Sequence, residues 1–380
     1  MRRFPDNDII KLVGETPRYD LGSSIGPSLF VRDLDFAKAP LHEVELGYRT
    51  AAGDARLREY IAAAHGIEAG QVVITAGGMH ALFLLAFILC ERGDEAVITN
   101  PVFPPARAAL DAIGANVREL PVSFDEGYQI DCARLETLLT EETKLVSLAS
   151  PQNPSGVTVP TATLRDVAAV VRKRSPHAYL LVDDTYREAA FGDDPAAQAP
   201  VALDARIISV ASLSKCHGAP GLRLGWAITH DTGLRDQLVL GKFNTIVSSP
   251  AIEEQLGIRV YEQRERIINE RREILAAGVA RTERFVNENQ DLVQWVRPDA
   301  GAICCVRLRP ELFTDEGVAD FYQRLKSAGV RVASGTWFGD EARAFRLGFG
   351  HLPMDEFDAA LDALTGVLRS TFTPRFSSSG

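Results

Sequence analysis

The chain has 380 residues, of which 46% are hydrophobic and 24% are charged, as in an ordinary globular protein. Its length exceeds what a single core usually holds, so we expect one large and one small domain. The formal net charge of −10 argues against nucleic acid and anionic membranes as general partners, although a local cationic pocket for a small anion is compatible with it.

Two further features of the sequence bear on location and metal binding. The N-terminal MRRFPDNDIIKL lacks the apolar core of a secretory signal, and the longest apolar stretch, residues 81–90, is too short to span a bilayer. The five cysteines show no zinc-type spacing, so we predict no metal site and expect packing residues in a reducing compartment. We therefore expect a cytoplasmic protein without membrane contacts.

Between about residues 55 and 230, short β-rich runs alternate with helical segments. This alternation predicts βαβ units and a mostly parallel sheet that is covered on both faces. Ligands of such sheets bind beyond the carboxyl ends of the strands. Polar residues that directly follow a predicted strand are therefore the candidates for chemistry.

Four predicted strands are followed by candidate residues of this kind. After VVIT come a glycine pair and a helix, where the backbone amide of Gly78 could face an anion. Phe103 follows the run AVIT, and Asn153 lies in the turn SPQNPSGV after LVSLAS. The run YLLVD ends on Asp183, with Tyr186 three residues later. Each pattern alone is also compatible with an ordinary turn.

The next strand run, RIISVAS, is followed by LSKCHGAPGLRLGW, which places Lys215 just past a strand end. Pro220 and the nearby glycines exclude a regular helix there. The chain has only seven lysines against 34 arginines. An exposed loop lysine is the simplest interpretation, and the SxxK spacing from Ser212 suggests an acyl enzyme, but the helical turn and partner motifs of that class are missing. The third interpretation is a lysine that forms a Schiff base with a carbonyl cofactor.

The last third of the chain has a different pattern. Residues 251–288 predict one long helix with a charged, solvated face. The runs that follow predict strands of a smaller domain, and one of them, AFRLGFG, contains Arg346. We predict a large domain at 45–250 and a small domain formed by 1–44 and 251–380.

Together these stretches resemble the aspartate aminotransferase superfamily, the class I/II aminotransferases among the fold type I enzymes that use pyridoxal 5′-phosphate (PLP). The motifs are SxSK…GxRxG around Lys215, D-x-x-Y from Asp183, NP[TS]G from Asn153, Y-x4-G-x3-LR from Tyr48, and a C-terminal arginine strand. The resemblance covers roughly residues 20–365. It implies an α/β fold in which a large domain has a mostly parallel seven-stranded sheet and a small domain is α+β.

The resemblance also implies catalytic roles. Lys215 would hold PLP as an aldimine and then act as the base at the substrate Cα. Asp183 would keep the pyridine nitrogen protonated, and Tyr186 and Asn153 would hydrogen-bond the phenolic oxygen. Because the family often has a cis bond before the motif proline, we expect one between Asn153 and Pro154.

The remaining implied roles concern the phosphate, the ring and the substrate. The phosphate would be held by backbone amides, hydroxyls and a guanidinium, from Gly78, Met79, Ser212, Ser214 and Arg223. Tyr48 would reach the phosphate of a neighbouring subunit, which implies a homodimer with shared sites. Phe103 would stack on the pyridine ring. Arg346 and Asn153 would bind the substrate carboxylate, and Gly26 would line the substrate pocket.

Three function classes follow from the resemblance. The first is an aminotransferase that works on an α-amino acid and a 2-oxo acid. The second is another PLP reaction, such as elimination, replacement, cyclisation or oxidation, because the segment DLGSSIGPS is faintly similar to capreomycidine-synthase-like enzymes that act on modified arginine. The third is a PLP sensor without turnover. Departures from the family pattern at His80, Cys216, His217 and Ser334 leave the reaction open, and no arginine for a second carboxylate is identifiable.

Overall fold

The computed structural model describes residues 4–12, 17–36, 40–191 and 198–372. Within these ranges the strands are β1 Tyr19–Asp20, β2 Val72–Ala76, β3 Glu95–Asn100, β4 Asn116–Pro121, β5 Thr143–Ala149, β6 Tyr179–Asp183, β7 Ile207–Ser212, β8 Leu224–Ile228, β9 Val293–Val296, β10 Ile303–Leu308, β11 Val330–Arg331, β12 Ala333–Ser334 and β13 Ala344–Gly348. The α-helices are α1 Ala55–His65, α2 Gly77–Leu89, α3 Pro104–Ile113, α4 Cys132–Leu138, α5 Thr161–Arg174, α6 Thr232–Ile246, α7 Ala251–Glu262, α8 Arg264–Glu288, α9 Asp315–Ser327 and α10 Met354–Thr371.

The central sheet has seven strands in the order β2-β8-β7-β6-β5-β3-β4. The pairs among β7, β6, β5, β3 and β4 are parallel, whereas β8 is antiparallel to both β2 and β7. The predicted mostly parallel seven-stranded sheet is therefore confirmed.

The strands of this sheet are apolar on both faces because helices cover both. Alternate residues of β6 and β7 point into different clusters. Leu181 and Ile208 pack on the side of α2 and α6, and Leu180 and Ile207 pack on the side of α5. This burial explains why the strand runs read as continuous hydrophobic segments, and each fully buried side chain of this size contributes about 1.5–3 kcal/mol.

A second, four-stranded sheet has the order β12-β13-β10-β9 and is antiparallel throughout. Its core is shared with α8, α9 and α10. A short parallel pair of β1 and β11 attaches the N-terminal segment to this part of the molecule. Each of the two sheets therefore has its own hydrophobic core. The domain boundaries near residues 44 and 250 stay a prediction.

The predicted long helix at 251–288 is wrong in one respect, because the structure has two helices that meet at Gln263. Ile258 of α7 packs in a cluster with Trp226 of the large sheet. Leu275 and Phe285 of α8 pack in the core of the second sheet. The break lets one amphipathic stretch bury apolar residues in two different cores.

Two smaller expectations can also be compared with the structure. The cis bond predicted before Pro154 is wrong, since the cis peptides lie at Ser150–Pro151 and Asn100–Pro101. In the parts of the chain that the structure covers, no helix combines the length and the apolar character that a membrane crossing requires.

Candidate active site

Several of the predicted site residues lie at one edge of the central sheet. Asp183 is the last residue of β6 and Ser212 is the last residue of β7, while Asn153 lies in the turn that follows β5. Gly78 lies in the first turn of α2, directly after β2. These positions come together because the carboxyl ends of parallel strands share one edge.

Lys215 lies just beyond β7, half-buried, under the N-terminal segment. Its Nζ donates to Ser24 Oγ over 2.7 Å and lies 5.9 Å from the Tyr186 ring centroid. Burial, assisted by the Arg346 cation, lowers the pKa of Lys215 to about 7, and Asp183 partly opposes this shift. Near neutral pH the amine therefore exists in both its protonated and its free form.

Asp183 and Tyr186 flank this amine. Burial raises the pKa of Asp183, and the hydrogen bond from the Thr185 amide, 3.1 Å from Oδ1, works in the opposite direction. Burial also raises the pKa of Tyr186 to about 12. The Tyr186 hydroxyl is buried close to Ser24 and makes no aligned hydrogen bond in the described part of the chain, so it can turn to a ligand.

The start of α2 forms a cradle that side chains would fill. Gly77 has φ +74°, and a Cβ there would lie 2.4 Å from Arg223 Nη2. A Cβ on Gly225 would lie 2.4 Å from the Gly78 nitrogen. No side chain caps this helix N-terminus, so its first backbone amides remain available beside the guanidinium. Ser212 Oγ, which accepts from the Ser214 amide at 3.3 Å, lies at the end of the adjacent strand β7. Free amides, a guanidinium and hydroxyls are groups that bind anions, so this arrangement is compatible with the predicted phosphate site.

Arg346 links the two sheets. It lies on β13 with only 1% of its surface exposed. Its Nη1 donates to Asn153 Oδ1 over 2.8 Å and its Nη2 donates to the Gly22 carbonyl over 2.6 Å. Its Nε has no partner among the described residues, and burial lowers its pKa. The guanidinium therefore sits where the large sheet, the small sheet and the N-terminal segment meet.

This geometry can be compared with known proteins. The family model for aminotransferases of class I and II matches residues 36–364. This chain belongs to the class I and II aminotransferase family. The resemblance inferred from the sequence motifs is thereby confirmed, as are the fold type I architecture and PLP as the cofactor.

The relatives of this aminotransferase-family chain differ in the reactions they are named for. It is 30% identical to capreomycidine synthase of Streptomyces vinaceus over 324 residues, which cover 83% of this chain and 79% of the relative. It is 27% identical to arginine–pyruvate transaminase AruH of Pseudomonas aeruginosa over 342 residues, covering 86% and 84%.

Solved structures show the same division. A PLP-dependent aminotransferase from Streptococcus suis superimposes with a TM-score of 0.88 at 22% identity, covering 98% of this chain and 99% of the other. The PLP-dependent cyclase OrfR superimposes with a TM-score of 0.85 at 25% identity, covering 97% and 99%. The family is thus established, and the individual reaction is not.

The residues of this aminotransferase-family site fit PLP on three observations of the chain itself. A buried amine, Lys215, can form the covalent link, and the orphaned Tyr186 hydroxyl can meet a ligand oxygen. The glycine cradle beside Arg223 leaves room for a phosphate. When PLP is bound, it supplies an electron sink for negative charge that develops at the substrate Cα.

The other predicted site residues differ in burial and in whether they line the cavity beside Lys215. Gly26 lines a narrow cavity together with Lys215 and Tyr186. Phe103 is half-buried at the residue before α3. Met79, also partly buried, is the third residue of α2, so its amide belongs to the uncapped first turn. Tyr48 is 88% exposed and is not among the residues that line this cavity.

Sequence reasoning missed two residues that line the same cavity. Ser24 accepts the Lys215 hydrogen bond, and the buried Arg271 donates to the Pro27 carbonyl and packs against Gly218, where a Cβ would lie 1.8 Å from its Nη2. The sequence signal for Ser24 is its position in DLGSSIGPS, the segment that is faintly similar to capreomycidine-synthase-like enzymes. Arg271 lies in the predicted helix at 251–288, whose charged residues were assigned to a solvated face.

Two of the departures from the family pattern have local explanations. His80 Nδ1 accepts from the Ala76 amide at 3.2 Å, so its Nε2 carries the proton that bonds Thr245 Oγ1 at 3.0 Å. Burial, assisted by Lys242, lowers the His80 pKa and favours this neutral form. Cys216 donates to the Thr185 carbonyl at 3.1 Å, and burial raises its thiol pKa to about 12, so it is not a nucleophile near neutral pH.

Proposed function

We propose that this protein is a PLP-dependent aminotransferase that moves an α-amino group between an amino acid and a 2-oxo acid. The observation that carries the proposal is the position of the Lys215 amine, which bonds Ser24 and lines a cavity with Tyr186. Burial and the Arg346 cation lower the pKa of this amine to about 7 against the opposing effect of Asp183. An amine with a pKa near the working pH can attack a carbonyl and can also accept and return a proton efficiently. Transamination requires both proton movements at the same face of the substrate.

Four other side chains have supporting roles in the proposal. Asp183 holds positive charge on the ring nitrogen, since a carboxylate at the end of β6 favours the protonated form of a nearby base. Tyr186 and Asn153 orient the ring by hydrogen bonds to its phenolic oxygen. Phe103 stacks on one face of the ring.

The phosphate is assigned to the anion site at the start of α2. Its ligands in the proposal are the amides of Gly78 and Met79, the hydroxyls of Ser212 and Ser214, and the Arg223 guanidinium. Anchoring the phosphate fixes the cofactor independently of its covalent link. These ligands would hold bound PLP without its link to Lys215, which would leave the Lys215 amine free to carry protons.

Arg346 binds the substrate carboxylate in this proposal. A planar guanidinium offers two parallel donors to a carboxylate, and its free Nε supports a further contact. Asn153, which already accepts from Arg346, holds it in this orientation. Gly26 lets the N-terminal segment approach the substrate closely.

The proposed assembly is a homodimer in which Tyr48 reaches the phosphate of the partner. Tyr48 and Leu46 are 88% and 80% exposed, and the Arg49 amide bonds Ser248 beside the exposed Val247. Contiguous exposed apolar side chains mark interfaces.

Mixing inactive Lys215→Ala and Tyr48→Ala proteins tests whether sites are shared between subunits. If they are, a mixed dimer contains one intact site and regains activity. Cytoplasmic location stays a prediction.

A second candidate is another PLP reaction at Cα, Cβ or Cγ, including cyclisation, elimination, replacement or oxidation of an arginine-derived substrate. The observation in its favour is the 30% identity to capreomycidine synthase over most of both chains. The same lysine and carboxylate would begin either reaction, because both start with removal of the Cα proton.

A substrate screen separates these candidates. The purified holoenzyme is incubated with single amino acids, and products are identified by mass. Transamination gives one equivalent of 2-oxo acid per site, with further turnover only when an acceptor oxo acid is added. Ammonia release, oxygen uptake or a cyclised product supports the second candidate, and no turnover across the panel contradicts both.

A further inference from the structure

The loop that carries Lys215 and the turn that carries Tyr186 are in contact through a histidine and a glutamate that follow these two residues in the chain. His217 lies two positions after Lys215, and Glu188 lies two positions after Tyr186. His217 Nε2 is 3.1 Å from Glu188 Oε2, within ion-pair distance, and neither atom makes an aligned hydrogen bond among the described residues. Both side chains are buried, with 2% and 8% of their surfaces exposed. The contact therefore joins the loop that carries Lys215 to the turn that carries Tyr186.

Glu188 is fixed from its other sides by cations. Arg264 donates to Oε1 from Nη2 at 2.8 Å and from Nε at 3.1 Å, and Arg187 Nη2 lies 3.8 Å away. Arg272 Nε donates to the Glu188 carbonyl at 3.1 Å. Burial raises the pKa of Glu188, but His217 and Arg264 outweigh it and hold it well below its ordinary value. Glu188 is thus a fixed carboxylate whose Oε2 faces His217.

The surrounding groups do not replace this contact. Asp184 is buried and engaged by Arg187 at 3.1 Å and by His65 at 3.8 Å. The Tyr261 ring lies 5.4 Å from the His217 ring and offers apolar packing. A phenylalanine ring could make the same kind of apolar contact with Tyr261, at the cost of its larger volume. Packing alone therefore does not explain an imidazole here, whereas a buried carboxylate oxygen that needs a facing polar group does.

We propose that His217 and Glu188 form a positioning pair that fixes the Lys215 loop against the Tyr186 turn and so keeps the Lys215 amine beside Asp183. The proposal rests on the proposed function, in which Lys215 carries the cofactor. The bond from Cys216 to the Thr185 carbonyl lies between the same two stretches and gives the loop a second anchor. Releasing the pair loosens the loop and gives the lysine more contact with water.

The pH dependence of PLP uptake tests this proposal. Only the free amine attacks the PLP aldehyde, so the rate at which visible absorbance grows in full-length protein should rise through the Lys215 pKa, about 7 in the wild type. A more hydrated lysine has a higher pKa. We expect His217→Phe and Glu188→Gln to move the midpoint upward by about one pH unit.

Two further variants make the test specific. His217→Gln retains an N–H that can face Glu188, and we expect it to restore the wild-type midpoint. His230→Gln is the matched control, since His230 bonds Gln71 and the Val201 carbonyl away from the site. Thermal unfolding of each variant is recorded in parallel, because a purely structural role would change only that.

The outcomes separate this proposal from the function on which it rests. Unchanged midpoints in His217→Phe and Glu188→Gln, with altered thermal unfolding alone, would overturn the positioning pair. If His217→Phe does not fold, the nearly isosteric Glu188→Gln decides. Borohydride reduction and peptide mapping of the wild type are scored separately, because a label on a lysine other than Lys215 would overturn the proposed function itself.

Discussion

Lys215, which is half-buried, and Lys242, which is fully buried, both have depressed pKa values, about 7 and about 8, and burial of the amine is the largest cause in each. Their surroundings differ. Lys215 follows a strand end, bonds Ser24 and lines a cavity. Lys242 lies in the last third of α6, fully buried, with no hydrogen-bond partner for its Nζ among the described residues. Glu254 is its nearby opposite charge. A shifted pKa thus reports burial, and converging polar groups around a cavity indicate chemistry.

The largest expected effect separates these two lysines directly. Lys215→Ala should lower the turnover of the holoenzyme by about 1,000-fold or more, because it removes both the covalent link and the proton carrier. Turnover of the identified substrate and mass of the borohydride-reduced protein measure this. Lys242→Met is the control and should keep the covalent label. Labelling lost in Lys242→Met and kept in Lys215→Ala would reverse the assignment.

The next effect compares two adjacent carboxylates. Asp183→Asn should lower kcat/KM by about 100-fold, because a neutral amide cannot favour positive charge on the ring nitrogen. Asp184→Asn should leave kcat/KM near the wild-type value, since Asp184 bonds Arg187 and its effect falls on stability. Steady-state kinetics of both variants check the pair. Equal losses in the two variants would remove the special role of Asp183.

A smaller effect is expected at the opposite wall of the site. Arg346→Lys keeps the charge but loses two-point binding, so KM for the amino acid should rise about tenfold with a lesser change in kcat. Arg343→Lys, in the segment leading into β13, is the matched control because Arg343 bonds Asp315 and the Phe313 carbonyl instead. A KM unchanged in Arg346→Lys would place the substrate carboxylate elsewhere.

The sequence predicts the strand-end residues of the site better than it predicts the contacts that the N-terminal segment makes with the site. Asp183 and Lys215 were found because strand runs are recognisable and the carboxyl ends of parallel strands share one edge. The contacts of the N-terminal segment were not, since Ser24 lies 191 residues from Lys215 and Gly22 lies 324 residues from Arg346. No local pattern encodes such pairings, because they depend on how the second sheet packs on the first. The break at residue 263 was missed for the same reason.

The smallest effect concerns stability at Lys242. In the unfolded chain its pKa is the ordinary 10.5, and in the folded protein it is about 8. Between these pH values the unfolded chain binds more protons, so this lysine's contribution makes the wild type more stable as pH rises from about 8 to 10.5. Lys242→Met lacks the contribution. We expect it to be more stable than wild type by roughly 1–2 kcal/mol at pH 8, with the difference shrinking towards pH 10.5.

Urea unfolding of the wild type and of Lys242→Met at pH 8 and pH 10 measures this difference in stability. Lys173→Met is the control, because Lys173 is mostly exposed, and it should change the free energy of unfolding by less than about 0.5 kcal/mol at either pH. The carboxylate of Glu254 could make Lys242 stabilising instead, because the two opposite charges attract each other. Burial raises the pKa of Glu254 to about 7 and Lys242 holds it lower than burial alone would, so removing the lysine favours the neutral acid. A destabilised Lys242→Met would therefore mean that the two charges form a favourable pair, and it would show that burial is not the dominant influence on this lysine.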